Sequence, residues 1–181
     1  MIFTETFIKD LYTIEPAVFD DKRGYFFESY NKKEFEEHNL FYDFIQDNQS
    51  MSKKGVLRGL HFQKKFQQAK LVRVLRGEVY DVAVDLRKNS PTYGKYFGVI
   101  LSEDNKKMFL IPRGFAHGFL VLSDVAVFCY KCDNFYKKDD EGGIKWNDDF
   151  VNVEWPKLNC EYILSEKDMA HPLLKDVKIE L

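Results

Sequence analysis

The sequence predicts a mainly β, single-domain barrel or sandwich, and two observations carry that reading. Polar and apolar residues alternate over short runs, as in Tyr80, Val82, Val84 and Leu86 against Asp81, Ala83 and Asp85, which is the two-residue period of a strand. Turn residues punctuate these runs at Lys53-Lys-Gly55, Arg76-Gly-Glu78, Glu103-Asp-Asn105 and Ser123-Asp124, a spacing suited to many short strands. The 181 residues are 45% hydrophobic and 16% aromatic, enough to bury one sizeable core. No linker, repeat or low-complexity tract divides residues 1–181.

Along the chain, the run at residues 80–86 implies one packed and one polar face. A short helix outside the barrel is predicted to begin at Asn31, capped by its side chain, with Glu34 completing an Asn-x-x-Glu box. Asp139-Asp-Glu-Gly-Gly143 reads as a loop, and Trp146, Val151, Val153 and Trp155 as a last strand followed by a covering tail.

Composition excludes several function classes. Twenty-seven basic against 29 acidic side chains give a net charge of -2, so no global field draws the protein to nucleic acid or membrane, and an anionic partner must be met locally. No run approaches the roughly 20 apolar residues of a membrane span. The first ten residues lack the basic-then-apolar pattern of a signal peptide, so a cytoplasmic address is expected. Three cysteines read as reduced thiols. Cys129 and Cys132 lie three apart in a strand-like run, which puts them on opposite faces and argues against a metal pair.

The chemistry concentrates in Gly55-Val-Leu-Arg-Gly-Leu-His-Phe-Gln63. Here His61 sits in an apolar strand beside Arg58 and Gln63, and glycines 55 and 59 allow close approach of a ligand or backbone. A strand histidine is often only a hydrogen-bonded core residue; the alternative is a general base. His-x-His would suit a metal, but Gln63 stands at the second position and amides are poor transition-metal ligands, so no metal is expected. Arg23, Arg58, Lys70, Arg73 and Arg113 are cations in or beside apolar strands and need anionic partners. For Arg73 an internal pair with Asp81, Asp85 or Glu28 is expected; for Arg58 and Lys70 an external phosphate is at least as good. Tyr130 shares a strand face with Phe128 and could deliver a proton opposite a histidine. His117, in a glycine-marked run, faces phosphate or caps a turn. Asp168 offers a carboxylate to orient an imidazole, or belongs to a helix capped at Ser165. A flat strand would put Arg58 and His61 on opposite faces, and a bulge at Gly59 is predicted to bring them together.

Taken together, the chain resembles the dTDP-4-dehydrorhamnose 3,5-epimerase family, nucleotide-sugar epimerases with a cupin-type jelly-roll fold and a few short peripheral helices. The matching runs span nearly the whole chain: Asp21-Lys-Arg-Gly-Tyr-Phe-Phe-Glu28, Phe44-Ile-Gln-Asp-Asn48, residues 55–63, Lys70-Leu-Val-Arg73, Asp81-Val-Ala-Val-Asp85, Ser90-Pro-Thr92, Ile111-Pro-Arg-Gly-Phe-Ala-His-Gly-Phe119, Tyr130-Lys131 and Leu164-Ser-Glu-Lys-Asp168. The resemblance implies His61 as base, Asp168 as its orienting partner, Tyr130 as acid across the sugar ring and Lys70 at the 4-keto oxygen. It implies that Arg23, Phe26, Glu28, Gln46, Asn48, Arg58, His117 and Tyr136 line the nucleotide and sugar pocket. It also implies a homodimer in which the N-terminal strands carry Arg23, Phe26 and Glu28 to the neighbouring subunit's site.

The implied chemistry suits the residue types. A C4 ketone acidifies the hydrogens on C3 and C5 through an enolate, so no redox cofactor is needed. Imidazole, with an unperturbed pKa of about 6.5, is a suitable base near neutrality, and a cation aimed at the oxyanion is worth roughly 3 kcal/mol. Departures from the family pattern fall at Tyr96, Asn147-Asp-Asp149 and Cys132-Asp-Asn134, where the substrate is read. Rival readings are the same chemistry on a GDP-linked 4-keto heptose or 6-deoxyheptose, inversion at C3 or C5 alone, a metal-dependent cupin, and a non-catalytic sugar-nucleotide-binding module.

Overall fold

The computed structural model describes residues 1–177, so positions 178–181 of the expected domain lie outside the described residues. In chain order the strands are β1 (Ile2–Glu5), β2 (Tyr12–Glu15), β3 (Phe19–Asp21), β4 (Gly24–Phe26), β5 (Gln46–Lys53), β6 (Leu57–Gln63) and β7 (Lys70–Arg76). There follow β8 (Glu78–Asp85), β9 (Tyr96–Ser102), β10 (Met108–Ile111), β11 (Phe115–Val121), β12 (Val125–Cys132) and β13 (Glu141–Gly143). Two short helices, α1 (Lys32–Glu37) and α2 (Glu166–Met169), lie between β4 and β5 and after β13. None is long and apolar enough to cross a membrane.

Two antiparallel sheets form the walls of a flattened barrel, in the orders β1-β2-β10-β7-β12-β5 and β13-β6-β11-β8-β9. The inner faces meet in an apolar core that includes Val72, Val74, Val79, Phe109, Phe119 and Phe128. Phe119 of one wall stacks on Phe128 of the other with centroids 4.3 Å apart. On the outside of the five-stranded wall, Tyr80, Val82 and Val84 pack under Ile144, Val151, Trp155 and Leu174. On the outside of the six-stranded wall, Ile14, Leu71, Met108 and Leu110 pack with Phe35 of α1. The five-stranded wall and part of the six-stranded wall are therefore covered on their outer faces, and polar side chains converge in the lumen between the walls.

That arrangement corrects the polar-face reading of β8. Asp81 and Asp85 point into the barrel and are fully buried, because the lumen supplies partners: His117 for Asp81, and Arg87, Ser90 and Thr92 for Asp85. Residues 139–143 are not a loop throughout. After one 3-10 turn (Lys138–Asp140), β13 pairs along the edge of β6 with Gly143 opposite His61. Nor do residues 146–155 form a strand. Asp148 takes the backbone N–H groups of Phe150, Val151 and Leu174, which curls the segment and lets Val151 and Trp155 lie across the sheet as a cover.

Helix α1 forms where the cap predicts, with the Asn31 side chain accepting from the N–H of Lys33 and Glu34. The reciprocal half of the box is absent: the Glu34 carboxylate takes the Met1 amino group at 2.9 Å instead. The expected bulge is present at Gly59. Phe119 stands opposite Arg58 and His117 opposite His61, so β6 spends one more residue than β11 over that interval and both side chains reach the lumen. Only glycine fits there. Its φ is +128°, and an added Cβ would lie 2.6 Å from the Gly118 Cα.

Candidate active site

The lumen gathers its functional groups from both walls. His61 comes from β6 in the five-stranded wall; Lys70 at the start of β7 and Tyr130 in β12 come from the six-stranded wall facing it. Alternation from buried Val72 and Phe128 turns both of them inward. Beside Tyr130, Asn48 and Gln46 of β5 sit opposite Tyr130 and Cys132 on the same face, and Gln46 donates to Asn48 Oδ1 at 3.0 Å.

His61 Nε2 donates to Asp168 Oδ1 at 2.6 Å, which leaves Nδ1 as the lone-pair nitrogen. The carboxylate reaches this point because Ser165 caps α2, accepting from the Asp168 N–H at 3.1 Å; the expected cap forms, and the Asp168 charge is buried against the imidazole rather than exposed. Burial alone would raise the Asp168 carboxyl, but the hydrogen bond and charge of His61, with help from Ser165 and His171, hold it below the ordinary carboxylate value. Asp168 is therefore an anion at neutral pH, fixed against one imidazole nitrogen.

Across the lumen, burial raises the Tyr130 phenol above its usual value, with Cys132 and Glu141 adding to the rise and Arg58 opposing it. A raised phenol stays protonated and can donate. Burial pushes the Lys70 ammonium down, against the pull of Cys132, Asp81 and Glu141; its Nζ lies 5.8 Å from the Tyr130 ring centroid.

His117 does not cap a turn. It is buried next to His61 across the β6–β11 ladder, with Nε2 3.0 Å from both oxygens of Asp81. Arg58 is exposed at the rim, held by Ser52 Oγ at 3.2 Å. Tyr136, also at the rim, donates to Glu141, and that hydrogen bond pushes the phenol up to about 12. Gln63 is buried and fully occupied: its amide nitrogen donates to the Phe66 and Phe135 carbonyls and its oxygen accepts from the Lys137 N–H at 2.6 Å. It pins two loops and is not turned toward a ligand.

Arg23, Phe26 and Glu28 are not brought to this cluster. Strands β3 and β4 form a separate hairpin on which Arg23 pairs with Asp21 and Phe26 is exposed, while Glu28 accepts from Asn31. The internal pair expected for Arg73 is corrected as well. Arg73 points outward between Leu71 and Leu75 and lines a surface cleft with Asp47 and Gln49, whereas Asp81 and Asp85 point inward. Arg113 pairs with Asp133 at 3.0 Å.

Two residues escaped the sequence reading. Glu141 of β13 joins Tyr136 to Lys167, the latter at 2.6 Å. His171 lies against the dyad, 3.6 Å from Asp168 Oδ1. No sequence signal marked it; its ring packs on Gly143, where an added Cβ would lie 2.4 Å from the ring. Metal-ligating groups converge in one place among the described residues, at His61, Asp168 and His171.

Fold and lumen together define a jelly-roll enzyme of the cupin type, with a carboxylate-bound imidazole on one wall and a buried phenol on the other. Comparison with known proteins narrows this further. The sequence model of the dTDP-4-dehydrorhamnose 3,5-epimerase family matches residues 5–176. The enzyme of that name from Salmonella typhimurium (strain LT2) is 54% identical over 176 residues, covering 96% of each chain. The crystal structure of its counterpart from Elizabethkingia anophelis NUHP1 is 57% identical with a TM-score of 0.93, covering 97% of each chain. That of dTDP-6-deoxy-D-glucose-3,5-epimerase from Legionella pneumophila Philadelphia 1, in complex with dTDP-4-keto-L-rhamnose, is 48% identical with a TM-score of 0.95, covering 98% of this chain and 94% of that one. The chain belongs to the dTDP-4-dehydrorhamnose 3,5-epimerase family.

Proposed function

We propose that this protein inverts C3 and C5 of a thymidine-diphosphate-linked 4-keto-6-deoxy sugar, of the dTDP-4-dehydro-6-deoxyglucose type, without a redox cofactor. The observation that carries the reading is the His61–Asp168 hydrogen bond on one wall of the lumen with Tyr130 on the other. Inversion needs a base on one face of the carbon and an acid on the opposite face, and two facing walls meet that demand.

In this mechanism the C4 ketone acidifies its neighbours. His61 Nδ1 removes the proton from C3 or C5, and the electron pair delocalises onto the C4 oxygen as an enolate. Asp168 stabilises the imidazolium and holds its tautomer. Lys70 meets the developing oxyanion, and its burial strengthens that interaction. Tyr130 then delivers a proton to the other face. Arg58 and His117 serve the diphosphate and sugar, while Gln46, Asn48 and Tyr136 line the pocket. The exposed β3–β4 hairpin carries Arg23, Phe26 and Glu28 to the site of a second copy in a homodimer. Support for the thymidine substrate comes from the relatives: the Legionella enzyme was crystallised with dTDP-4-keto-L-rhamnose, and a Bacillus anthracis (strain Ames) enzyme with TDP and pyrophosphate.

The test is proton NMR of the substrate with enzyme in D2O. Deuterium entering both C3 and C5 is expected. Exchange at one carbon would make it a mono-epimerase, and tight binding with no exchange a binding module.

A further inference from the structure

One nitrogen beside the dyad has no partner. The ring of His171 packs on Gly143, and its Nε2 is buried with no hydrogen-bond partner among the described residues. That atom lies 3.6 Å from Asp168 Oδ1, the same oxygen that accepts from His61 Nε2 at 2.6 Å. The His61 and His171 rings meet edge to face with centroids 5.5 Å apart, and the three donor atoms lie within 4.8 Å of one another. A buried polar nitrogen left unpaired is destabilising, so the position favours any group that accepts its lone pair.

We infer that His61, Asp168 and His171 form a site for a divalent transition-metal ion, of which zinc is the type, and that its occupation switches the enzyme off. Two imidazoles and a carboxylate are a donor set that zinc takes readily, whereas magnesium and calcium prefer oxygen alone. With metal–ligand distances of about 2.0–2.2 Å, tetrahedral donors stand about 3.3–3.5 Å apart. The Asp168–His171 separation is already close to that. The His61–Asp168 pair must open, and the His61 side chain, 31% exposed, has room to move. Water would fill the fourth position.

The off-switch follows from the tautomer and rests on the reading of His61 as base; metal binding itself does not. In the dyad the His61 hydrogen sits on Nε2, leaving Nδ1 its lone pair. A metal on Nε2 needs a lone pair on that nitrogen, so the hydrogen moves from Nε2 to Nδ1. The imidazole keeps one hydrogen and Asp168 keeps its charge, but the nitrogen facing the sugar now carries N–H and cannot accept a proton.

The experiment titrates chelator-stripped, full-length protein with cobalt(II) chloride, following visible absorption, and separately assays epimerisation with added zinc chloride and after EDTA. Expected are a one-to-one cobalt spectrum displaced by zinc, and zinc inhibition reversed by EDTA. His171→Ala, and His171→Phe, which keeps a ring in the same space without a donor, should both lose the cobalt spectrum. Each should raise the zinc concentration for half-inhibition by at least ~10-fold, the lower end of what even outer partners of a metal site contribute. No cobalt spectrum with wild-type protein, or zinc inhibition unchanged in both variants, overturns the site. Cobalt binding that leaves turnover untouched overturns the switch. If metal-free wild-type protein fails to epimerise, the proposed function falls, and the cobalt titration still judges the site.

Discussion

Replacing Asp168 by Asn exchanges one carboxylate oxygen for an amide nitrogen and isolates the role of the dyad. The carboxylate stands 2.6 Å from His61 Nε2 and is buried. At an effective dielectric of about 20, opposite charges at that separation attract by roughly 6 kcal/mol, and only once the imidazole has taken the substrate proton. The amide dipole would restore about 1 kcal/mol as a neutral hydrogen bond, and the partial exposure of His61 screens a further share. What remains is a transition-state loss of about 3–4 kcal/mol, or ~10^2–10^3-fold in kcat. KM should change little, because the attraction develops after binding. Deuterium exchange at C3 and C5 measures the rate, and calorimetry with thymidine diphosphate checks the pocket. A loss below ~5-fold in kcat, which is about 1 kcal/mol, would refute the claim that this carboxylate carries the imidazolium.

Further predictions concern the opposite wall and the scaffold. The Lys70 ammonium is lowered by burial and the Tyr130 phenol is raised by it, so the cation is lost at lower pH than an exposed lysine's would be, while the phenol keeps its proton above its ordinary value. Lys70→Arg, whose guanidinium does not titrate in this range, should move the alkaline fall of kcat to higher pH; an unmoved limb would exclude Lys70 as its source. Gly143→Ala should displace the His171 ring and destabilise the protein, and adding His171→Ala should recover most of the loss in urea denaturation; additive effects would contradict the packing. Asp85 is buried but held below the ordinary carboxylate value by Arg87, Ser90 and Thr92. Its stabilisation is therefore present above an unfolded pKa of about 3.9 and disappears as pH falls through the lower folded value. Asp85→Ala should cost about 2–3 kcal/mol near neutral pH, since it strips Arg87, Ser90 and Thr92 of their shared buried acceptor while Arg87 keeps Asp10; a change in urea midpoint within error would refute the network.

Much of this architecture was legible because strand alternation and turn chemistry are local. The Gly59 bulge was legible too, since Arg58 and His61 could share a pocket only if β6 broke its period between them. The lumen was not: alternation sets Asp81 and Asp85 on a polar face without saying that a second sheet covers that face. Trp146 to Trp155 read as a strand for a related reason, as apolar spacing alone does not reveal that Asp148 gathers the backbone N–H groups and curls the segment. His171 was invisible, because its site is made by Gly143 and Asp168, and their meeting is a product of the β13–β6 pairing. The hairpin carrying Arg23 and Phe26 stands apart from the site of its own chain; the family resemblance assigned both residues to a neighbouring subunit's site.

Whether His61 moves the sugar protons or merely fills the lumen is decided by His61→Asn, assayed by NMR in D2O with dTDP-4-dehydro-6-deoxyglucose alongside thymidine diphosphate binding by calorimetry. No deuterium at C3 or C5, with binding retained, is the expected result. Exchange at the wild-type rate in that variant would contradict it.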